Sequence, residues 1–218
     1  MEFASQLQTT LAKYDLLTHQ LYQYWNEGKL TKNTLIEYAK QYYHHVESFP
    51  KCLSMILALS NDPEHRKVII ENLIEEEYNT PNHPELWLDF AKGLEVTATE
   101  VKNTDINKKT ADLLNDFRNC CKASYEEGLG ALYAHEWQYS KIAETKKAGL
   151  KKFYGIEWES ALKFFEVHSE IDVWHSEQLT SLINKIPEEK QEIVKKGAEK
   201  AAKALWGFLD GILEYHHA

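Results

Sequence analysis

Apolar side chains recur every three or four positions along nearly the whole chain of 218 residues, which is the spacing of one face of an α-helix. Most glycines and prolines fall between these runs, and no linker rich in Pro, Gly and Ser divides the chain. Hydrophobic residues make up 43% of the sequence, enough for a core that needs no disulfides. We therefore predict an all-α protein in which residues 1–218 form one bundle of seven to nine helices without a sheet.

The helix boundaries follow from capping residues and prolines. The first predicted helix spans residues 3–25 and ends at Gly28, and Thr31 caps the second helix. Pro50 lies inside that second helix and is expected to kink or split it, because proline removes a backbone donor. Further helices are predicted over residues 63–78, 85–95, 126–150 and 157–184 and after Pro187.

The charge balance and the cysteines exclude several classes of partner. Lys and Arg total 25 against 34 Asp and Glu, a formal net charge of -9, so we expect no nucleic acid partner. The N-terminal sequence does not resemble a signal peptide, and no stretch approaches the roughly 20 apolar residues of a membrane span. Cys52, Cys120 and Cys121 form no CxxC pair and suit a reducing compartment. We therefore expect a cytoplasmic protein without membrane association.

The helix predicted over residues 157–184 carries two histidines and an acid on one face. His168, Asp172 and His175 stand at positions i, i+4 and i+7, so all three point into one narrow sector of the helix. Their neighbours in the sequence are apolar, which predicts partly buried polar groups that need partners. One interpretation is a metal ion, and the other is hydrogen bonding of both histidines within the core.

Two other segments offer carboxylates and a further imidazole. Glu76 ends an apolar helical run, and His83 follows the turn at residues 79–82, which can swing the imidazole back toward the carboxylate. Glu136 lies among apolar and aromatic residues, where Gly130 would permit close helix packing, and a buried acid there needs a cation. The alternatives are a solvated face for Glu76, an exposed position for His83, and a Lys or Arg partner for Glu136.

Taken together, these positions predict a site for two divalent ions. The candidate ligands are Glu76, His83, Glu136, His168, Asp172 and His175. Three carboxylates and three neutral imidazoles would leave about one net positive charge on two divalent ions, and such oxygen and nitrogen donors suit iron or manganese. This spacing differs from the doubled Glu-x-x-His pattern of ferritin-like bundles.

The same segments carry a resemblance to a known family. The segments concerned are residues 31–50, 73–87, 132–136, 168–175 and 205–210. They resemble the chlamydial protein associating with death domains and its bacterial relatives, and the resemblance covers nearly the whole chain. That family belongs to the haem-oxygenase-like dimetal oxidases, which share a helical fold with thiaminase-type (TenA) proteins and pyrroloquinoline-quinone synthase (PqqC). We expect that fold here.

The resemblance implies an activity and a set of catalytic residues. Family members make para-aminobenzoate for folate synthesis and are thought to consume their own side chains, a tyrosine as the aromatic skeleton and a lysine as the amine. Carried over by position, the tyrosine matches Tyr22 and the lysine matches Lys146, with Tyr38 as a second tyrosine near the site. The implied cofactor is dinuclear iron or iron/manganese, with O2 and an external reductant as co-substrates. We also expect a homodimer and leave a further protein partner open.

The chain departs from the family at His135 and Phe164, which stand where redox-capable tyrosines are common. An electron relay through these two positions is therefore in doubt. Three other functions stay open. The first is a TenA-like hydrolase that salvages thiamin through aminopyrimidine fragments, with Cys120 or Cys121 as nucleophile. The second is a PqqC-like oxidase, and the third is an interaction module that binds a death-domain partner through its helical faces.

Overall fold

The computed structural model describes residues 2–217, apart from the side chains of residues 170–173, and this part of the chain is helical with no strand. The helices are α1 (Phe3–Leu11), α2 (Gln20–Asn26), α3 (Lys32–Leu59), α4 (Pro63–Leu73), α5 (His83–Gly93), α6 (Ala98–Lys102), α7 (Lys108–Ala123), α8 (Tyr125–Glu136), α9 (Tyr139–Tyr154), α10 (Glu159–Asn184) and α11 (Glu188–His217). A π-helical turn, Ile74–Tyr78, follows α4 directly. The predicted all-α class is confirmed. Among the described helices, none is both long enough and apolar enough to cross a membrane.

The segment between α1 and α2 contradicts the prediction of one helix over residues 3–25. Two short 3-10 turns, Ala12–Tyr14 and Leu16–Thr18, separate the two helices. The carboxylate of Asp15 and the imidazole of His19 each accept a hydrogen bond from the backbone N–H two residues later. Because these side chains satisfy backbone donors locally, the chain turns here instead of continuing as a helix.

Helix α3 runs through Pro50 without a break, so the expected split there is wrong. Proline in a helix interior costs about 3 kcal/mol. The side chains of Val46, Phe49 and Leu53 on either side of it are all buried in the core. Burial of each large apolar side chain contributes about 1.5–3 kcal/mol, which offsets the cost of the proline. One continuous helix therefore carries several of the tyrosines described below.

The helix predicted over residues 126–150 is in fact two helices, α8 and α9. The backbone of Gln138 departs from helical values, with φ -116° and ψ -4°. Its side-chain Oε1 accepts a hydrogen bond of 3.0 Å from the backbone N–H of Leu16, which ties this corner to the N-terminal segment. The chain thus changes direction just after Glu136. The other predicted helices, over residues 63–78, 85–95 and 157–184 and after Pro187, are confirmed to within a few residues.

Helix α8 is almost entirely buried, and glycines let it lie directly against the backbone of α11. A Cβ atom on Gly130 would lie 2.0 Å from the carbonyl oxygen of Val194, and one on Gly197 would lie 2.0 Å from the carbonyl oxygen of Glu127. Only glycine fits such contacts. The close packing predicted at Gly130 is therefore confirmed, and it carries the C-terminal end of α8 into the interior.

Candidate metal centre and tyrosine–lysine cluster

Three of the predicted ligands converge from three different elements. Glu76 comes from the π-helical turn, His83 is the first residue of α5, and His168 lies in the middle of α10. One ligand atom from each lies within 4.8 Å of the other two, and all three residues are buried. The convergence that sequence spacing predicted for these three residues is thus present.

Local structure explains how Glu76 and His83 meet. In the acidic run of the π-helical turn, Glu77 is exposed and Glu75 is half-buried, while Glu76 is buried. The capping box of Asn82 and Glu85, in which each side chain bonds to the other's backbone N–H, fixes the start of α5 and with it His83. The π-helical turn and the capping box are both local structures outside α10, the long helix that carries His168.

Two buried imidazole nitrogens at this cluster, one on His83 and one on His175, have no hydrogen bond of good geometry among the described residues. Nδ1 of His83 lies 2.8 Å from Oε2 of Glu76, but it has no aligned hydrogen bond among the described residues, and the same holds for the buried Nε2 of His175. Nδ1 of His168 donates to the carbonyl oxygen of Phe164 at 2.8 Å, which leaves Nε2 as the lone-pair atom. Buried lone pairs held in this way fit a metal ion.

Glu136 supplies a second buried carboxylate beside the cluster. It is 3% exposed, and its Oε1 accepts a hydrogen bond of 3.1 Å from Nδ2 of Asn72. Burial and the nearby charge of Glu76 raise the pKa of Glu136 to about 8. Two carboxylates buried side by side disfavour each other's charge, and a bound cation would relieve that repulsion. No Lys or Arg pairs with Glu136 among the described residues, so the alternative of a basic partner is not supported.

The two remaining predicted ligands lie on α10. His175 is 4% exposed, and burial lowers its pKa to about 4, with charge coupling to Glu76 and His83. Its imidazole is therefore neutral and electrostatically close to the cluster. The side chain of Asp172 lies outside the described residues. At His83 the opposing effect of burial is outweighed by Glu76, which raises the pKa of that imidazole. The donor atoms are carboxylate oxygens and imidazole nitrogens, the set that suits iron or manganese.

A second buried cluster joins the three predicted catalytic residues. The amine Nζ of Lys146 lies 2.5 Å from the hydroxyl of Tyr38, whose oxygen lies 3.2 Å from the hydroxyl of Tyr22. The same amine lies 4.9 Å from the ring centres of both tyrosines. The structure therefore brings Tyr22, Tyr38 and Lys146 together, although they come from α2, α3 and α9.

Burial controls the charge of Lys146. The residue is 2% exposed, and burial alone holds the pKa of its amine well below 10.5. The rings of Tyr42 and Tyr139 complete the enclosure, with centres 5.4 Å and 5.7 Å from Nζ. Since charge–ring attraction is weaker than the cost of burying an unpaired charge, this enclosure favours the neutral form of the amine.

The metal cluster and the tyrosine–lysine cluster are linked through Tyr42. Its ring stacks on that of Tyr38 with centres 5.6 Å apart, and its hydroxyl lies 3.4 Å from Nε2 of His135. A narrow cavity of about 10 Å³, roughly the space of one water molecule, is lined by Tyr42 and His135 on one side and by Glu76 and His168 on the other.

Two buried residues near the site were not predicted from the sequence. Asn72 holds Glu136, and His45 lines the cavity with neither ring nitrogen hydrogen-bonded among the described residues. His45 precedes Val46 on α3, and its helical register with Tyr42 could have indicated an inward position. Asn72 falls among apolar residues of α4, and only its polarity at a core position gave a signal.

The cysteines are buried and lie apart from the metal cluster, and the contact with Cys121 lowers the pKa of Cys52. Cys52, Cys120 and Cys121 are free thiols, each 3% exposed or less. Burial raises the pKa of Cys120 to about 11, and the pKa of Cys121 is raised by its contact with Cys52 and by burial. None of the three lines the cavity beside the metal cluster. These positions are typical of cysteines that act as small buried hydrophobic residues.

Known proteins resemble this chain both in sequence and in fold. Residues 36–206 match a family described as iron-containing redox enzymes. A 4-aminobenzoate synthase from Chlamydia pneumoniae is 37% identical over 200 residues, covering 91% of this chain and 89% of that protein. A 4-aminobenzoate synthase from Nitrosomonas europaea is 36% identical over 228 residues, covering 99% and 93%. A solved TenA homologue from Pseudomonas syringae has a TM-score of 0.82 at 18% identity, covering 97% and 93%. These similarities confirm the haem-oxygenase-like fold.

Proposed function

The chain belongs to the iron-containing redox enzyme family, and we propose that it is an O2-dependent oxidase that makes 4-aminobenzoate from two of its own side chains. Both relatives are named 4-aminobenzoate synthase, which supports the proposed product. The family resemblance of the sequence supports a substrate that is part of the chain itself. The observation that carries the proposal is the amine of Lys146, buried among tyrosines close to a set of side chains that could hold a metal ion.

The metal ligands proposed are Glu76, His83, Glu136, His168, Asp172 and His175. A metal pair bound there would supply the one-electron chemistry with O2 that organic side chains lack. The protein's own contribution is orientation. The Phe164 carbonyl holds the imidazole of His168, and the Asn72 amide holds the carboxylate of Glu136, so each ligand keeps one orientation.

Tyr22 is proposed as the source of the aromatic skeleton. A tyrosine ring carries a carbon substituent and, opposite to it, an oxygen, whereas 4-aminobenzoate carries a carboxyl carbon and, opposite to it, a nitrogen. Conversion therefore requires that the lysine nitrogen replace the phenol oxygen and leave its own Cε, that the Cα–Cβ bond of the tyrosine break, and that Cβ be oxidised to the carboxylate, with O2 as the oxidant. Burial raises the pKa of Tyr22, so its phenol stays protonated until it is oxidised. The hydroxyl of Tyr38 holds that phenol in place.

Lys146 is proposed as the amine donor. An amine attacks an oxidised ring only when it is uncharged, and burial keeps Lys146 uncharged in the enclosure described above. Its Nζ lies over the face of the Tyr22 ring. The aromatic walls exclude water, which would otherwise compete with the amine for the oxidised ring.

An isotope experiment tests this proposal. The protein is produced with 13C-ring tyrosine and 15N-lysine, loaded with Fe(II) with or without Mn(II), and exposed to O2 and a reductant without added amino acids. We expect 4-aminobenzoate that carries both labels, together with loss of mass from the peptides that contain Tyr22 and Lys146. Mass spectrometry measures both.

Matched variants separate the roles. Tyr22→Phe should yield no labelled product, whereas Tyr78→Phe, which alters a tyrosine that is 82% exposed, should yield as much as the parent protein. Unlabelled product from the parent protein would contradict the self-derived substrate, and labelled product from Tyr22→Phe would contradict Tyr22 as its source. Either result would leave the oxidase assignment itself intact.

The alternative functions receive less support. A TenA-like hydrolase would need a reactive thiol, and burial raises the pKa of both Cys120 and Cys121. A PqqC-like oxidase would share the fold and leave Lys146 without a role. The homodimer, a further protein partner and the cytoplasmic location stay predictions, and size-exclusion chromatography with light scattering would test the first of them.

A further inference from the structure

Tyr38 contacts two tryptophans that lead in different directions. The ring of Trp25 lies 5.4 Å from that of Tyr38, and the ring of Trp87 lies 5.9 Å away. Apart from tyrosines, the aromatic rings that contact Trp87 are those of Phe90, Phe164 and Phe165. Phenylalanine rings resist one-electron oxidation. Beyond Trp25, in contrast, the next ring is that of Tyr154, with its centre 6.2 Å away.

Tyr154 connects the buried Trp25 with the protein surface. The residue is half-buried and lines an open cleft of about 230 Å³ together with Lys32, Leu35 and Trp158. Its hydroxyl donates a hydrogen bond of 3.4 Å to the backbone oxygen of Trp25. The ring that contacts the buried tryptophan is thus also one wall of a space large enough for a small molecule.

Trp25 is held firmly between Tyr154 and the buried tyrosines. It is fully buried, and its Nε1 donates to the backbone oxygen of Lys146 at 3.2 Å. Gly149 makes room for the indole, because a Cβ atom at that position would lie 2.6 Å from Cδ1 of Trp25. The rings of Tyr22 and Tyr38 both pack edge-on against the indole, with Tyr22 at 6.4 Å.

We propose that Trp25 and Tyr154 form a path for single electrons between the surface cleft and the Tyr22–Tyr38 pair, and that the cleft admits a small enediol reductant of the ascorbate type. Indole and phenol are the side chains that lose and regain one electron reversibly. Every step from Tyr38 to the cleft joins two such rings in contact. The path would return the tyrosine pair to its resting state when oxidation has not led to product.

The electrons and protons balance along this path. When Tyr38 loses an electron, its phenol proton moves to the neutral Nζ of Lys146, 2.5 Å away. Trp25 gives an electron to the Tyr38 radical, and the proton returns from Lys146. Tyr154 then gives an electron to the oxidised Trp25 and releases its phenol proton to water in the cleft. The enediol gives an electron to the Tyr154 radical, which regains a proton from that water, and the enediol becomes a one-electron-oxidised radical.

The path can be tested without metal, so its result is independent of the proposed function, which supplies only its purpose. A ruthenium polypyridyl photo-oxidant is attached through Lys32→Cys at the cleft, since the three native thiols are buried. A light flash in the presence of an electron acceptor then oxidises the label. Ring-deuterated tyrosine is placed at position 154 only, so that a radical on Tyr154 has a different hyperfine pattern, and the yield of radical on Tyr22 and Tyr38 is followed by electron paramagnetic resonance after freezing. The labelled Tyr22→Phe, Tyr38→Phe double variant gives the background.

We expect the labelled parent protein to form the radical, and labelled Trp25→Phe and Tyr154→Phe to fall to the background. Trp87→Phe, which alters the other tryptophan in contact with Tyr38, should keep the parent yield. The path is wrong if either of the first two variants keeps more than half of the parent yield above background, or if Trp87→Phe loses as much as they do. Tyr154→Phe removes only a hydroxyl from a half-buried ring, so it decides the matter should Trp25→Phe fold poorly.

Discussion

Replacing Lys146 with methionine should stabilise the metal-free protein while removing the proposed amine. In the folded chain burial lowers the pKa of this amine well below 10.5, its ordinary value in the unfolded chain, and the proposed function requires the uncharged form. Holding such a group deprotonated costs about 1.4 kcal/mol per pH unit below that value, or about 4 kcal/mol at pH 7.5. Methionine has a similar length and carries no charge to remove.

The substitution also removes one hydrogen bond, from Nζ to the hydroxyl of Tyr38. That loss costs about 1 kcal/mol, and the Tyr38 hydroxyl keeps its contact with Tyr22. The net expectation for Lys146→Met is a gain of about 3 kcal/mol at pH 7.5. A depressed lysine pKa means that the parent protein loses stability as pH falls from 10.5, so the advantage of the variant should shrink as pH rises and be near zero at about pH 9.5.

Urea denaturation of both metal-free proteins at several pH values measures this difference. Lys141→Met, at an exposed position of the same helix, is the control and should stay within about 0.5 kcal/mol of the parent. A variant that is no more stable at pH 7.5, or a difference that does not change with pH, would mean that Lys146 is charged in the folded protein. The argument for a neutral amine donor would then fail.

Three further predictions concern the metal cluster and its support. Replacing both His168 and His175 with alanine should abolish metal loading, and two metal equivalents per chain in elemental analysis of that variant would contradict the site. The pKa of Glu136 is raised to about 8 in the metal-free protein, so its contribution to the unfolding free energy should fall by about 1.4 kcal/mol from pH 7 to pH 9. Glu136→Gln should lose that decrease in denaturant titrations, and an unchanged slope would refute it. Gly130→Ala should destabilise the protein by about 3 kcal/mol or more, because its methyl group would meet the carbonyl of Val194; an unchanged melting temperature would show that α8 and α11 can separate at no cost.

Local periodicity predicted much of the fold and part of the site. The shared helical face of His168 and His175 was visible in their spacing, because a regular helix fixes where such residues point. Both are buried, as the apolar neighbours indicated. The pairing of Glu76 with His83 depended on a π-helical turn and a capped loop, and residue spacing alone does not specify either.

The errors have tertiary causes. Pro50 did not interrupt α3, because burial on both sides of the proline outweighs its local cost. The break between α8 and α9 depends on a hydrogen bond from Leu16 to Gln138, two residues far apart in the sequence. No helical pattern contains that contact, and propensity therefore favoured one longer helix.

Lys146 illustrates what local sequence leaves open. On residue pattern alone it is an ordinary lysine in a helix with several others, and the expectation of a special role came only from the family resemblance. Its burial results from α2, α3 and α9 enclosing one point with four tyrosine rings. Such convergence of distant segments is a property of the packed bundle.

The central claim is that carboxylates and imidazoles from four elements, the π-helical turn, α5, α8 and α10, hold a pair of metal ions. Anomalous diffraction at the iron and manganese edges, from a crystal of protein reconstituted with both metals, tests it most directly. The account predicts two adjacent anomalous peaks between Glu76, His83 and His168, with Glu136 and His175 in bonding distance. A reconstituted crystal with no peak there, or with metal only at the surface, would contradict the account.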